Sequence, residues 1–349
     1  MHNIQIKKMK NSFAFLIFIF FLACNKEPKP YVATPYILDA PKSLPPIKIS
    51  DTNPLTVEGI VLGKRLFYDP ILSGNNSQAC GDCHNQQFGF TDNGNQFSTG
   101  IDKLEGDRNS MPLFNLAYQK DFFWDGGVKD LESQVIGPIL NNLEMHEDLA
   151  NALQELNAHA EYPLLFEKAF NVKKTESIHI MKAVAQFEKT ILSGNSKYDK
   201  YKAGKTQLTD NELHGLEIFT DMSKGDCNHC HVLGSTFSDF EYRNNGLETI
   251  PKDLGRGRIT LLSEDNGKFK TPTLRNIALT APYMHDGRIK TLENCIDFYN
   301  NDIKNSKTLD PVLKNVKKGR MNAKDKADLI EFLKTLTDLD FVNDVRYGK

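Results

Sequence analysis

Two short stretches of the chain combine cysteine and histidine in the same order and at the same spacing. Each has two cysteines separated by two residues and followed directly by a histidine: Cys80, Cys83 and His84 in the first, and Cys227, Cys230 and His231 in the second. Two thiols at this spacing can bond to one edge of a porphyrin, and the adjacent imidazole can then ligate its iron. The motifs predict two covalently attached c-type haems, with the two histidines as proximal ligands.

Three other uses of paired cysteines compete with haem attachment. Zinc ribbons usually separate their two CxxC pairs by about 15 to 20 residues, whereas these copies lie far apart and each carries its own histidine. A redox CxxC pair needs a thioredoxin-like βαβ context, which the sequence lacks. Disulfides within each motif are tolerable in an exported protein. Haem attachment is our prediction, and the other three uses stay as alternatives.

Residues 1–24 differ in character from the rest of the chain. Lys7, Lys8 and Lys10 precede the apolar run FAFLIFIFFLA, which ends at Cys24. A membrane-spanning helix needs about 20 apolar residues, and this run is shorter. A charged start followed by a short apolar stretch is typical of an export signal. The letters FLAC resemble a bacterial lipobox, so we predict a periplasmic protein with a lipid anchor at Cys24. A plain signal peptide or a short anchor is the alternative.

The remaining chain divides into a tether and two halves. Residues 25–50 are rich in proline and predict an extended tether. Residues 51–203 and residues 204–349 each contain one CxxCH motif, and 349 residues suffice for about two domains. The formal net charge is -2 and no polybasic block is present, so nothing points to nucleic acid as a partner.

The two halves repeat more than the haem motif. Residues 115–132, NLAYQKDFFWDGGVKDLE, align without a gap with residues 276–293, NIALTAPYMHDGRIKTLE. Apolar residues before each CxxCH recur at helical spacing, and strands with clean alternation are scarce. The stretch TESIHIMKAVAQFEKTIL predicts another helix, with Thr175 as its N-cap. The sequence thus predicts a mainly α fold of two duplicated c-type cytochrome-like haem domains.

The repeat allows the two iron sites to be compared. A six-coordinate haem needs a second axial ligand, and the second half offers Met284, His285, Tyr299 and Met321. Tyr299 lies on the helix after the DG turn, and the residue at the corresponding place in the first half is Pro138, which has no side-chain donor. We therefore expect a capped second haem that transfers electrons and an open first haem that binds small molecules.

With these motifs the chain resembles the bacterial di-haem cytochrome c peroxidases and the related MauG group. The resemblance rests on the two CxxCH motifs and on RNSMPLFN, FFWDGG and LRNIALTAPYMHDG, and it covers nearly the whole chain after the export signal. It implies a peroxidatic N-terminal haem and a C-terminal haem at which electrons enter. It also implies a calcium ion between the two domains.

The resemblance assigns roles to single residues around the first haem. Trp124 becomes the aromatic bridge between the two haems. Gln134, Pro138 and Glu144 become the distal pocket of the first haem, where cleavage of peroxide needs a group that moves a proton between its oxygens. Glu144 is the acid and base of this set.

The calcium site is likewise implied by the resemblance alone. Its ligands are the side chain of Asn109 and the backbone carbonyls of Thr280 and Pro282. Oxygen donors of this kind suit calcium. Composition and spacing give no independent indication of this ion.

Two departures from the family pattern carry information. Many such peroxidases have a distal histidine in the loop after the first CxxCH, and that place falls near Ile101, where only Lys103 offers a ligand. We expect an open first haem at rest that needs no reductive activation. Many members also have methionine where this chain has Tyr299, and tyrosine as a ligand is a MauG-like feature that lowers the reduction potential.

The predicted function is reduction of hydrogen peroxide to water with electrons from a small c-type cytochrome or a similar donor. A MauG-like enzyme that oxidises side chains of a partner protein is the first alternative, and Tyr299 favours it. A non-catalytic dihaem electron-transfer cytochrome is the second, and Pro138 speaks against it. We expect membrane contact only through the lipid anchor at Cys24, and a homodimer is compatible with the sequence.

Overall fold

The computed structural model describes Met1 and residues 31–349, and residues 31–349 form one compact unit. The predicted export signal, the lipid-anchor residue Cys24 and the start of the tether lie outside the described residues. Within the described part, no helix is both long and apolar enough to cross a membrane.

The described chain is mainly helical, which confirms the predicted fold class. The α-helices in chain order are α1 (Val57–Tyr68), α2 (Cys80–Cys83), α3 (Leu131–Leu140), α4 (Leu149–Ala158), α5 (Tyr162–Phe170), α6 (Ser177–Thr190), α7 (Lys197–Lys202), α8 (Asp210–Thr220), α9 (Arg256–Thr260), α10 (Leu292–Asp297), α11 (Pro311–Lys314), α12 (Ala323–Lys334) and α13 (Leu339–Val342). Strands β1 (Tyr242–Arg243) and β2 (Phe269–Lys270) pair antiparallel, with Tyr242 opposite Lys270. A π-helical turn, Phe298–Asp302, continues α10.

The two halves use the same kind of helix pair. In the first half α1 packs on α6, and in the second half α8 packs on α12. A Cβ atom at Gly63 would overlap the carbonyl oxygen of Ala183, and a Cβ atom at Gly215 would overlap that of Asp328. Glycine therefore permits the close helix contact at the same place in both halves.

Each half has its own hydrophobic core. Phe67 and Phe187 belong to the first core, whereas Phe219 and Phe332 belong to the second. Phe341, close to the C-terminus, returns to the first core and packs against its aromatic rings. The boundary between residues 203 and 204 stays a prediction.

The aligned stretches have the same backbone in both halves. Three pairs of aligned residues share a left-handed φ: Asn115 and Asn276 (58° and 57°), Phe123 and Met284 (64° and 75°), and Gly126 and Gly287 (67° and 61°). The turn between them is closed by the same hydrogen bond, from Phe122 N–H to the Val128 carbonyl (2.8 Å) and from Tyr283 N–H to the Ile289 carbonyl (2.7 Å). The repeat seen in the sequence is therefore a repeat of conformation.

The predicted N-cap of α6 is wrong by one residue. The N-cap is Glu176, whose backbone N–H donates to the imidazole of His179 at 3.0 Å. Thr175 lies before the helix because Asn157 binds its backbone N–H and carbonyl (2.9 and 3.1 Å) and fixes it on α4. The hydroxyl of Thr175 is buried and has no partner among the described residues.

Candidate haem-binding sites

Each CxxCH motif forms one tight turn. The backbone N–H of His84 donates to the carbonyl of Cys80 at 2.9 Å, and His231 makes the same bond to Cys227 at the same distance. The four motif cysteines are free thiols, which removes support for the disulfide alternative. No group of three or more His, Cys, Asp or Glu side chains within the described ranges is arranged to hold a metal ion.

Both motif histidines present the form that ligates iron. Nδ1 of His84 lies 2.8 Å from the carbonyl oxygen of Phe90, and Nδ1 of His231 lies 3.3 Å from that of Phe237. A ring that donates from Nδ1 to a carbonyl keeps the lone pair of Nε2 for a metal. Burial lowers the pKa of both imidazoles, that of His231 to about 4, so they stay neutral at pH 7. The free thiols and the oriented imidazoles fit a covalent haem at each motif.

The second motif opens into a cavity of about 220 Å³. Its walls include both thiols and the imidazole of the motif together with all four predicted axial ligands: Cys227, Cys230, His231, Met284, His285, Tyr299 and Met321. The structure thus brings together every residue that the sequence proposed for the second iron.

Tyr299 and Met284 contact the same side chain in this cavity. Nδ2 of Asn245 lies 3.1 Å from the hydroxyl oxygen of Tyr299 and 3.2 Å from the sulfur of Met284. Tyr299 lies in the π-helical turn after α10, a feature often found at functional sites. Burial raises the pKa of the Tyr299 phenol well above its usual range. Sequence reasoning missed Asn245, because a single asparagine in a loop gives no signal.

The other two axial candidates are held differently. The imidazole of His285 stacks on the ring of Phe269, with 3.7 Å between ring centroids and 11° between planes. The backbone of Met321 is bound on both sides by the carboxamide of Asn300 (3.0 and 3.1 Å). The ring of Phe269 thus covers one face of the His285 imidazole. Tyr299 and Met284 both line the cavity.

Trp124 lies between the two motifs. It lines the cavity of the second motif, and its Nε1–H donates to the carbonyl of Asn109 at 2.9 Å. The next residue, Ser110, has its hydroxyl 3.4 Å from Nδ1 of His84. One dipeptide therefore connects the indole with the proximal histidine of the first motif.

The predicted distal residues of the first haem lie on α3 and the turn after it. Gln134 and Pro138 are part of α3, and the Pro138 carbonyl accepts a bond from Met145 N–H at 3.2 Å. Oε1 of Gln134 is buried without a partner in the described chain. The carboxyl of Glu144 accepts a hydrogen bond from the Asn141 amide at 2.7 Å, and burial raises its pKa. A buried acid and an unpartnered amide oxygen thus lie on the same short segment.

The loop that contains Ile101 and Lys103 packs against this segment. The N–H of Ile101 donates to the Glu144 carbonyl at 2.9 Å. Lys103, the one ligand type in the loop, is exposed. The open first haem stays a prediction.

The three predicted calcium ligands line one cavity. Asn109, Thr280 and Pro282 all contribute to the wall of the cavity at the second motif. Nδ2 of Asn109 donates to the carbonyls of Asn95 (3.1 Å) and Gln96 (3.0 Å). Because the nitrogen is occupied in this way, the carboxamide oxygen is the atom left for a cation.

Glu188 is a buried acid that sequence reasoning missed. It lies on α6 with 3% of its surface exposed, and its Oε2 has no partner in the described part of the chain. Burial raises the pKa of Glu188 to about 8, and burial also raises the pKa of the Cys80 thiol, to which the charged form of Glu188 adds. Glu188 follows Val184 by four residues and precedes Ile191 by three, so the helical spacing of the apolar residues was the signal that could have found it.

Comparisons with known proteins agree with this geometry. Residues 57–207 match the family model described as di-haem cytochrome c peroxidase. The methylamine utilization protein MauG of Methylophilus methylotrophus is 31% identical over 320 residues, which cover 90% of each chain. The cytochrome c551 peroxidase of Nitrosomonas europaea is 34% identical over 306 residues, which cover 86% of each chain.

A solved structure extends this likeness to three dimensions. A MauG-like protein associated with microbial copper homeostasis superposes with a TM-score of 0.82 and 32% identity, covering 90% of this chain and 99% of that one. Sequence and fold thus agree over nearly the whole described chain. The protein belongs to the di-haem cytochrome c peroxidase family and is an oxidoreductase of the peroxidase type.

Proposed function

We propose that the protein reduces hydrogen peroxide to water at the first haem, with electrons that enter at the second haem from a small c-type cytochrome or a similar redox protein. The observation that carries this proposal is the difference between two corresponding positions. The second site has the donor oxygen of Tyr299 in its cavity, whereas the first has Pro138, which offers none. The second haem, with its iron capped, would transfer electrons, and the first haem, with its iron open, would react with peroxide.

The residues proposed for the first site would handle the protons of the reaction. When bound, the haem supplies the iron at which peroxide accepts two electrons, and two protons complete the two water molecules. Burial raises the pKa of the Glu144 carboxyl above its ordinary value, and a carboxyl of this kind can accept a proton and return it during the reaction. Asn141 holds one carboxyl oxygen of Glu144, which leaves the other for the substrate.

Gln134 would orient the substrate. Its buried Oε1 has no partner in the described chain, and such an oxygen can accept a hydrogen bond from a peroxide O–H. An unpaired buried amide oxygen costs stability unless something pairs with it. A small hydrogen-bond donor such as hydrogen peroxide is the kind of ligand that would do so.

We propose that Trp124 relays electrons between the two haems. It lines the second cavity, and Asn109 and Ser110 connect it to the proximal histidine of the first motif. A calcium ion on Asn109, Thr280 and Pro282 would hold this connection. The free carboxamide oxygen of Asn109 supports such an ion, because calcium prefers oxygen ligands.

The proposed location is the periplasm, with a lipid anchor at Cys24. The support comes from the sequence alone, through the charged start, the apolar run and the FLAC letters. Attachment of haem c outside the cytoplasm agrees with it.

The deciding experiment compares peroxide turnover with the lifetime of the oxidised enzyme. Purified protein with two haems c per chain, counted as pyridine haemochrome, is mixed with peroxide in the presence or absence of reduced cytochrome c. Rapid oxidation of the cytochrome is the expected result. A protein with fewer than two haems, or one that does not consume peroxide, would refute the proposal.

A second candidate function rests on Tyr299 and on the similarity to MauG. A tyrosine ligand stabilises oxidised iron, which suits an enzyme that withdraws electrons from side chains of a partner protein. Slow turnover with cytochrome c, together with a long-lived oxidised enzyme after peroxide, would favour this MauG-like activity.

A further inference from the structure

The residues before and after Asn245 are both fixed by hydrogen bonds. It follows Asn244, whose Nδ2 donates to Ser306 (3.1 Å) and Thr308 (2.8 Å), and whose Oδ1 accepts the N–H of Gly246 (2.9 Å). The Gly246 carbonyl in turn accepts the N–H of Lys304 at 2.7 Å. The carboxamide of Asn245 therefore extends from a rigid loop into the cavity of the second motif.

Both partners of Asn245 are held on rigid backbone as well. Tyr299 precedes Asn300, whose carboxamide is bound to the backbone of Met321. Met284 has a left-handed φ of 75° within the repeated turn, a conformation that non-glycine residues adopt only where the surroundings fix it. Two different potential iron ligands, a phenol oxygen and a thioether sulfur, thus each accept a hydrogen bond from the same amide nitrogen.

We infer that Asn245 is a positioning residue that selects Tyr299 over Met284 as the axial ligand of the second haem iron. The inference rests on the proposed role of Tyr299 in that site. This role of Asn245 explains why Met284 need not ligate the iron when Tyr299 is nearby, although thioether ligands are common in cytochromes.

The selection follows from the different strengths of the two hydrogen bonds. A ligating tyrosine oxygen carries negative charge, and an N–H that donates to it forms a charge-assisted bond. A thioether sulfur is a weak, neutral acceptor. The amide therefore stabilises the arrangement with the oxygen on the iron, and it holds the sulfur in a second hydrogen bond. Without the amide, the sulfur is released and the oxygen loses its stabilisation.

The test replaces Asn245 in the full, haem-loaded protein and reads the ligand of the ferric second haem. Asn245→Leu removes both N–H groups at similar volume, and Asn245→Ala repeats the test if the larger side chain hinders haem loading. Haem content by pyridine haemochrome and the thermal unfolding midpoint establish that each variant is intact. Electron paramagnetic resonance and the near-infrared charge-transfer band of thioether-ligated ferric haem report the ligand independently of turnover.

We expect the ratio of tyrosine to methionine ligation to fall by about fivefold or more, the change that the loss of one hydrogen bond produces. The thioether band should appear in Asn245→Leu and disappear in the double variant Asn245→Leu/Met284→Leu. Asn294→Leu on the exposed side of α10 serves as the matched control and should leave the spectrum unchanged.

The outcomes separate this inference from the function on which it rests. If Tyr299→Phe changes the ferric spectrum but neither Asn245 variant does, tyrosine ligation stands and the role of Asn245 is refuted. If an Asn245 variant only shifts the reduction potential without a thioether band, the amide tunes the ligand but does not select it, which also overturns the inference. If Tyr299→Phe leaves the spectrum unchanged, the proposed ligation itself fails.

Discussion

Trp124 and His285 occupy the same place in the two copies of the repeat, and both are bound by Asn109. The indole Nε1–H of Trp124 donates to the Asn109 carbonyl at 2.9 Å, and the Asn109 N–H donates to the His285 carbonyl at 2.7 Å. The two turns are thus joined through the backbone of one residue, Asn109. The first turn contributes a side chain to this junction, the indole of Trp124, whereas the second contributes the backbone carbonyl of His285.

Replacement of Trp124 should separate structure from electron transfer. Trp124→Phe keeps an aromatic ring but removes the hydrogen bond to Asn109, so we expect both haems to load and oxidation of the second haem by peroxide to slow. A barrier higher by one hydrogen bond, about 1 kcal/mol, corresponds to roughly fivefold in rate. Stopped-flow absorbance of the second haem after peroxide addition measures this rate.

A tyrosine elsewhere provides the control for Trp124. Tyr242→Phe also removes one aromatic hydrogen bond, between its hydroxyl and Asp121 (2.5 Å), without touching Asn109. Equal rates in the two variants would contradict the relay role of the indole.

Glu144 should matter for proton transfer and not for assembly. Glu144→Gln keeps the size of the side chain and its contact with Asn141 but cannot accept a proton. General acid and base groups contribute roughly a hundredfold or more, so we expect turnover of peroxide to fall by about that factor with normal haem content. Steady-state oxidation of reduced cytochrome c is the measurement.

Glu147 offers a matched control for Glu144. Its carboxyl is also buried, and Oε1 accepts hydrogen bonds from Asp148 N–H (2.7 Å) and the Asn151 side chain (3.1 Å) at the start of α4, whereas Oε2 has no partner in the described chain. Glu147→Gln should retain most of the turnover. A loss as large as that in Glu144→Gln would indicate damage to the segment rather than a missing proton carrier.

Glu188 should make the protein less stable as the pH rises. Its folded-state pKa is raised by burial to about 8, above the value near 4.5 of an unfolded glutamate. Between these values the unfolded chain releases a proton that the folded protein keeps, so the free energy of unfolding falls as the pH rises from about 4.5 to 8. Glu188→Gln should abolish this loss and stabilise the protein at pH 8 by on the order of 1–3 kcal/mol.

Denaturant unfolding across this pH range tests the prediction, with Glu132 as the contrasting residue. Burial acts to raise the pKa of Glu132, but hydrogen bonds from Lys189 (2.6 Å) and Asn53 (2.6 Å) outweigh it and lower the pKa. Glu132→Gln should therefore destabilise the protein at pH 8. Stabilisation by both variants would show that removal of charge, and not the burial of Glu188, is responsible.

The sequence predicted the features that repeat between the two halves and the motifs whose residue types indicate a particular chemistry. The CxxCH motifs, the aligned turns and the mainly α fold follow from residue types at fixed spacing, and the left-handed φ angles of Phe123 and Met284 show how faithfully the repeat is kept. Asn245 could not be predicted, because its importance comes from contacts with Met284 and Tyr299, which are distant in sequence. The cap of α6 was misplaced for the same reason, since Asn157 on another helix fixes Thr175.

Removal of calcium should weaken the junction between Trp124 and His285. If the ion binds the carboxamide oxygen of Asn109, its loss leaves that residue held only by the carbonyls of Asn95 and Gln96 and by its backbone bonds. We expect a chelator to slow the oxidation of the second haem without loss of haem, and added calcium to restore the rate.

The variant Asn109→Ala and magnesium make the calcium test specific. The alanine variant lacks the proposed ligand, so a chelator should slow it no further, and magnesium should restore the wild-type rate poorly because it demands a tighter octahedral shell. Unchanged oxidation of the wild-type second haem after complete chelation would show that the junction through Asn109 holds without an ion, since the hydrogen bonds to Trp124 and His285 would then suffice by themselves.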